Sequence, residues 1–181
     1  DSELDRARKL AASWADIQVT ASFEEVLKSS VQAVAIATPA VSHAKLAKQA
    51  LEAGKDVFVE KPLALDVADA AELTGLARKH NRILMVGHLL QYHPCIRRLQ
   101  ALVEEGALGR LRYITSNRLN LGLIRTEENS LWSFAPHDFS VILSLAGDQA
   151  PDQVRCTGES HLTADVADST LTALRFPSGL R

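Results

Sequence analysis

The 181 residues hold 20 Lys and Arg against 22 Asp and Glu, a formal charge of -2, with 46% hydrophobic and 23% charged residues. That composition is ordinary for a globular protein and argues against disorder, and so small a charge supplies neither the basic field that nucleic acid needs nor a polybasic membrane patch. The two cysteines, Cys95 and Cys156, have no CxxC or ligand spacing, and no apolar run approaches the roughly 20 residues of a membrane span, so a reducing cytoplasm is the expected compartment.

Residues 2–15 have helical composition, a short strand is expected at Ile17-Gln18-Val19, and Ser22 is placed to cap a helix over 23–29. Ala33-Val34-Ala35-Ile36-Ala37 is a continuous apolar run of strand length, the pattern of a parallel strand covered by helices on both faces. Thr38-Pro39 stops it. A helix is expected over 40–53, with Val41, Ala44, Ala47 and Leu51 on one face and Gly54 closing it, and Val57-Phe58-Val59 follows at once as a strand. After Glu60-Lys61-Pro62, Asp66 can cap a helix whose Val67, Ala70, Leu73 and Ala77 recur at helical spacing. Ile83-Leu84-Met85-Val86 is the next strand, so the order is βαβαβ, with connections long enough for right-handed parallel crossovers.

The pattern changes after Gly87. Pro94 suits the first turn of a helix running to about Glu105, with Ile96, Leu99 and Val103 inward and Gly106 as its stop. The period then becomes two: Leu111, Tyr113, Thr115, Leu119 and Leu121 alternate with mostly polar neighbours, and Thr170 to Phe176 is rich in strand formers. Pro136 reads as a helix start, with Phe139, Ile142, Leu143 and Ala146 on one face. The expected fold class is α/β: a Rossmann-type dinucleotide-binding domain with a parallel sheet over 1–88, then an α+β substrate and oligomerisation domain with a largely antiparallel sheet over 89–181. The chain opens at Asp1, holds no Gly-x-Gly-x-x-Gly and ends in a strand-like Phe176-Pro177, so both domains are expected to be truncated.

In an open parallel sheet, ligands bind beyond the carboxyl ends of the strands. The stops there are Thr38-Pro39, Glu60-Lys61-Pro62 and Gly87-His88. Lys61 can donate to a nicotinamide ribose and to a substrate hydroxyl, where its charge stabilises developing alkoxide character. It can equally be a solvated surface charge, and Glu60 an ordinary ion-pair partner. Pro62 fixes a rigid exit from the strand, and a cis Lys61-Pro62 bond is open to it, although the base rate of about 5% for X-Pro argues against assuming one. His137, placed at a helix start, would be held neutral by the positive end of the helix dipole and so be able to take a proton from an alcohol, or it simply satisfies a helix end. His88, His93 and His137 lack a zinc spacing, so no metal is expected. Asp1 stands where an acidic residue after the second strand of a dinucleotide fold meets the adenosine ribose, or is a plain helix cap.

Ala37-Thr38-Pro39 with His43, the run Ala53-Gly54-Lys55-Asp56-Val57-Phe58-Val59-Glu60-Lys61-Pro62-Leu63-Ala64, and Val86-Gly87-His88 resemble the glucose-fructose oxidoreductase, inositol dehydrogenase and rhizopine-catabolism (Gfo/Idh/MocA) family. The resemblance implies a two-domain dehydrogenase using NAD, with NADP as the alternative. It puts Lys61 at the nicotinamide, His137 of Ala135-Pro136-His137-Asp138 as acid/base, and Asp1, Thr38, Pro39, His43, Glu60, Pro62, His88 and Gln91 around the cofactor. Many relatives carry an aspartate four residues before that histidine. Here Ser133 stands there, so a Lys61 and His137 pair is expected and not a trio.

Gln91-Tyr92-His93-Pro94, Ser116 to Gly122 and Trp132 to Asp138 look like the family's sugar-nucleotide branch, the UDP-N-acetylglucosamine and UDP-N-acetylglucosaminuronate 3-dehydrogenases. On that likeness Arg118, Asn120 and Arg125 join His137 as substrate contacts, since guanidinium forks suit carboxylate or phosphate oxygens. The implied partner is a sugar or nucleotide sugar, in a homodimer or homotetramer. The competing readings are an inositol or monosaccharide dehydrogenase, and a non-catalytic sensor that binds cofactor and sugar.

Overall fold

A computed structural model describes residues 1, 3–119, 124 and 128–181. The chain forms two compact units, Asp1–Gly87 and His88–Arg181. The first holds α1 (Leu4–Ala11), α2 (Phe23–Lys28), β1 (Ala33–Ile36), α3 (His43–Glu52), β2 (Asp56–Val59), α4 (Val67–Lys79) and β3 (Leu84–Val86). Its sheet has the order β1-β2-β3 and both pairs are parallel, so the expected βαβαβ arrangement is present.

The helix and strand periods meet in one core. Ala47, Ala50 and Leu51 of α3 and Leu73 and Ala77 of α4 pack on Val34, Ile36, Val57 and Val59 of the sheet. Burying a leucine completely, as at Leu51, stabilises by roughly 1.5–3 kcal/mol relative to leaving it exposed. The expectation of strands covered on both faces is corrected: Val34 and Ile36 are buried while Ala33 and Ala35 are exposed, because the described helices cover one face. The expected strand at 17–19 is also not formed, since no described strand pairs with it.

Local signals set the element ends. Ser22 Oγ accepts from Glu25 N at 3.3 Å, and Asp66 Oδ1 accepts from Ala68 N at 2.7 Å. Gly54, with φ 73°, ends α3: its N–H reaches Leu51 O and that of Lys55 reaches Ala50 O, a paired closure that needs the left-handed conformation glycine adopts freely. Lys55 itself is 9% exposed, and its ammonium donates to the carbonyls of Ser29 and Val31, both at 2.7 Å, tying the end of α2 to the start of β1. Replacing Asp66 by alanine removes the α4 cap and is expected to cost about 1 kcal/mol, read as a lower urea midpoint at unchanged slope.

The second unit holds α5 (Pro94–Glu104), α6 (Ser130–Leu145), β4 (Gln153–Glu159) and β5 (Ser169–Arg175). Pro94 sits in the first turn of α5, capped by His93 Nδ1, which accepts from Cys95 N at 3.2 Å. Strands β4 and β5 are antiparallel. Residues 111–119 form no strand, although Ile114 N donates to Arg181 O and Arg181 N to Arg112 O, so the segment is extended and tied to the chain end. Leu121 of the expected alternation lies outside the described residues.

The reading of Pro136 as a helix start is corrected. Helix α6 begins at Ser130, where Asn129 Oδ1 accepts from Trp132 N at 3.0 Å, and Pro136 lies inside it.

Candidate active site

The parallel register puts the three strand stops in one row. Ile36, Val59 and Val86 are aligned across the sheet, and the ladder continues one step as Glu60 N donates to Ile36 O and Gly87 N to Val59 O. Ala37, Glu60 and Gly87 therefore stand side by side on the carboxyl edge, with Thr38-Pro39 and Lys61-Pro62 just beyond. Thr38 and Pro39 are exposed and Lys61 is half-buried, so the edge offers a hydroxyl and an ammonium to a ligand.

His43 braces this edge. It is 1% exposed, with Nδ1 2.7 Å from Pro62 O and Nε2 2.7 Å from Thr38 O, so one ring spans the first two strand stops. The geometry gives His43 a bracing job behind the edge, with both nitrogens facing backbone carbonyls. The Lys61-Pro62 bond is cis, the form the X-Pro base rate argued against assuming. Gly87 permits a close approach: a Cβ there would stand 3.0 Å from Glu60 Oε2 and 3.2 Å from Phe58 Cζ, so those side chains would have to shift by a few tenths of an ångström. The glycine thus leaves room for the Glu60 side chain over β3.

In the second unit His137 is the eighth residue of α6, so the helix-dipole argument for its charge state fails; that field fades beyond the first turn. Its sequence neighbour Asp138 organises the segment expected to meet substrate. Asp138 Oδ2 accepts from Arg118 Nε at 2.7 Å and Oδ1 from Ser116 Oγ at 2.8 Å. Asp138 is 19% exposed at its side chain and Arg118 35%, so this pair is better shielded than a surface salt bridge. Arg118 is thereby aimed, and sequence reasoning missed the aspartate that aims it. Asn120 and Arg125 lie outside the described residues.

Gln91 is held between two helices. Its amide donates to Ser140 O at 2.6 Å and its Oε1 accepts from Gln100 Nε2 at 2.8 Å, so it staples α5 to α6. Asp1 is exposed, and its Oδ1 accepts from Glu3 N at 2.9 Å ahead of α1. Among the described residues no group of His, Cys, Asp and Glu could hold a metal ion, and no helix is long and apolar enough to cross a membrane.

His88, the residue after Gly87, has a buried Nδ1 with no hydrogen-bond partner among the described residues, and burial lowers its pKa from the ordinary 6.5. Above that value the ring is neutral in folded and unfolded chains alike and costs nothing. As pH falls, the unfolded ring takes a proton that burial denies the folded one, so stability declines until pH has passed the lowered folded value. Urea melts at about pH 7.5 and 5.5 are expected to show a loss of stability that His88→Asn reduces. An equal loss in the variant would assign the acid sensitivity elsewhere.

Residues 1–88 match the family model described as an oxidoreductase family with an NAD-binding Rossmann fold, and residues 96–181 match the Gfo/Idh/MocA C-terminal domain. The two units thus correspond to the two domains of one oxidoreductase family. The chain belongs to the Gfo/Idh/MocA family.

UDP-N-acetylglucosamine 3-dehydrogenase of Acidithiobacillus ferrooxidans is 32% identical over 151 residues, covering 82% of this chain and 47% of that protein. Myo-inositol dehydrogenase Hyg17 of Streptomyces leeuwenhoekii is 29% identical over 183 residues, covering 96% of this chain and 56% of its own length. A solved structure of the Acidithiobacillus enzyme, GnnA, superposes with a TM-score of 0.86 at 29% identity, over 99% of this chain and 57% of that one. The chain spans about half the length of the curated relatives it matches.

Proposed function

We propose that the whole protein is an NAD(P)-dependent dehydrogenase that oxidises a secondary alcohol of a sugar, at C3 of a UDP-linked N-acetylhexosamine or its uronate. The observation that carries this reading is the carboxyl edge of the parallel sheet, where half-buried Lys61 stands in a turn braced by His43. The donor set fits the nicotinamide end of the cofactor: an ammonium for ribose hydroxyls beside exposed Thr38 and Pro39. NAD is the proposed form, with NADP as the alternative.

A bound nicotinamide would supply the acceptor for the two electrons that leave the alcohol carbon. Lys61 donates a hydrogen bond to the alcohol oxygen and stabilises the negative charge that builds there. His137 takes the hydroxyl proton on a ring nitrogen. Arg118, aimed by Asp138, has its remaining guanidinium N–H groups to offer to an anionic part of the substrate, a diphosphate or a carboxylate. That anion contact, with the identity to the Acidithiobacillus 3-dehydrogenase, favours a nucleotide sugar. Similarity to the inositol dehydrogenase supports a free cyclitol as the second reading. Homo-oligomerisation of the second unit belongs to the same proposal, since β4 is exposed along its whole length.

The test is the growth of reduced-nicotinamide absorbance when the whole protein meets NAD and a panel of UDP-N-acetylhexosamines, their uronates and free polyols. Turnover confined to UDP-sugars supports the proposal. Turnover only with free polyols replaces the substrate class, and cofactor binding without turnover on any of them replaces the enzyme by a sensor.

A further inference from the structure

The second unit holds a cavity of about 970 Å³, within the roughly 300–1,000 Å³ of small-molecule sites. Phe134, Phe139 and Ile142 of α6 supply apolar lining, and two carboxylates, Asp138 and Asp168, stand on the same lining. Asp138 is spent, since Ser116 and Arg118 each hold one of its oxygens.

Asp168 keeps one oxygen to spare. It is half-buried, just before β5, where its Oδ2 accepts from His161 N at 2.6 Å and from Leu162 N at 2.7 Å. Its Oδ1 makes no hydrogen bond or ion pair among the described residues. The backbone that carries it is pinned: Asp168 N donates to Glu159 O at 3.0 Å, and the carbonyl of Ala167 accepts from Ser130 N, at the start of α6, at 2.8 Å. One oxygen is thus fixed by backbone, so the other needs no ordering when a ligand arrives, the condition under which a polar contact adds most to affinity.

Arg118 has the complementary build. Its Nε is fixed on Asp138, and its remaining N–H groups have no hydrogen bond among the described residues. The cavity therefore carries a guanidinium that only donates and a carboxylate oxygen that only accepts. Of the other cations on the lining, Arg175 is paired with Asp152, while Arg155 and Arg181 are exposed. A bare diphosphate suits the arginine and is repelled by the aspartate. A neutral polyol suits the aspartate and leaves the arginine unused. A ligand with an anion and with hydroxyl or amide donors uses both.

We infer that Asp168 is a specificity-determining residue of this cavity: its free oxygen accepts a hydrogen bond from a ring hydroxyl or the acetamido N–H of the sugar while Arg118 holds the anionic part of the same ligand. This rests on the nucleotide-sugar reading given above and adds to it the group that recognises the sugar half.

Asp168→Asn in the whole protein keeps one oxygen for the two backbone N–H groups and turns the free side from acceptor to donor. Calorimetric titrations with UDP-N-acetylglucosamine and with UDP alone, reduced cofactor present, separate the two halves. Asp168→Asn is expected to weaken the UDP-sugar by about tenfold and to leave UDP unchanged, whereas Arg118→Met weakens both. Should Asp168→Asn fold poorly, UDP-sugars lacking one ring hydroxyl or the acetamido group read the same contact in the unaltered protein, and one of them is expected to bind about tenfold more weakly. Unchanged affinity for the UDP-sugar in Asp168→Asn, an equal loss for UDP alone, or a deoxy series with no weak member overturns the role of Asp168. Binding of free polyols but of no UDP compound by the unaltered protein overturns the nucleotide-sugar reading instead; Asp168 then stands or falls on whether Asp168→Asn weakens the polyol.

Discussion

Replacing Lys61 with methionine is expected to lower turnover of the whole protein by about 10²–10³-fold, the usual cost of removing one donor from a developing oxyanion. Methionine keeps the unbranched stem, so what is lost is the ammonium and not the packing. Lys61 is half-buried and is no member of the buried cluster on the sheet, so the loss should fall on turnover more than on the thermal midpoint. The fall should appear in kcat and kcat/KM together, the signature of an interaction made only in the transition state. Binding of NAD should survive with modest weakening, because the ribose contact is one among many. Arginine should not rescue: its planar fork is longer than an ammonium and presents different donor directions. Activity within a few-fold of wild type in Lys61→Met would dismiss the lysine from the chemistry.

The first unit was legible because its signals are local and agree with one another. Ser22, Gly54 and Asp66 end or start helices where capping chemistry says they should, and the apolar runs at 33–37 and 83–86 become strands whose parallel register fixes the ligand edge. Lys61 could therefore be placed by counting strands. The bracing by His43 could not be read from the sequence, because its partners are the carbonyls of Thr38 and Pro62, and backbone oxygens carry no sequence signal. The same applies to Lys55, whose ammonium is spent on the carbonyls of Ser29 and Val31.

The second unit misled at Pro136. Proline inside a helix costs about 3 kcal/mol, so reading it as a start was the default. Here Asn129 caps the helix seven residues before the proline. An asparagine followed by Ser130-Leu131-Trp132 was the available cue, and it was weaker than the proline. Arg118 was picked out for its chemistry, but its partner lies 20 residues away in Asp138, a pairing no helical or strand period could suggest.

The largest loss after Lys61 is expected from His137→Asn. Asparagine can hold a hydrogen bond in roughly the same place but cannot take a proton near neutral pH, so turnover should drop by about 10²–10⁴-fold. The pH profile separates this from a binding defect. A base works only when unprotonated, so activity rises with pH through the titration of the histidine, and the variant should lose that acidic limb while keeping weak activity carried by hydroxide or water. Asp138 should not substitute for the lost base, since both its oxygens are bound to Ser116 and Arg118. His137→Asn combined with Lys61→Met should be little worse than the poorer single variant, because the two groups serve one proton and one developing charge and do not act additively. A double variant whose loss equals the product of the two single losses would mean that the lysine and the histidine act in separate steps.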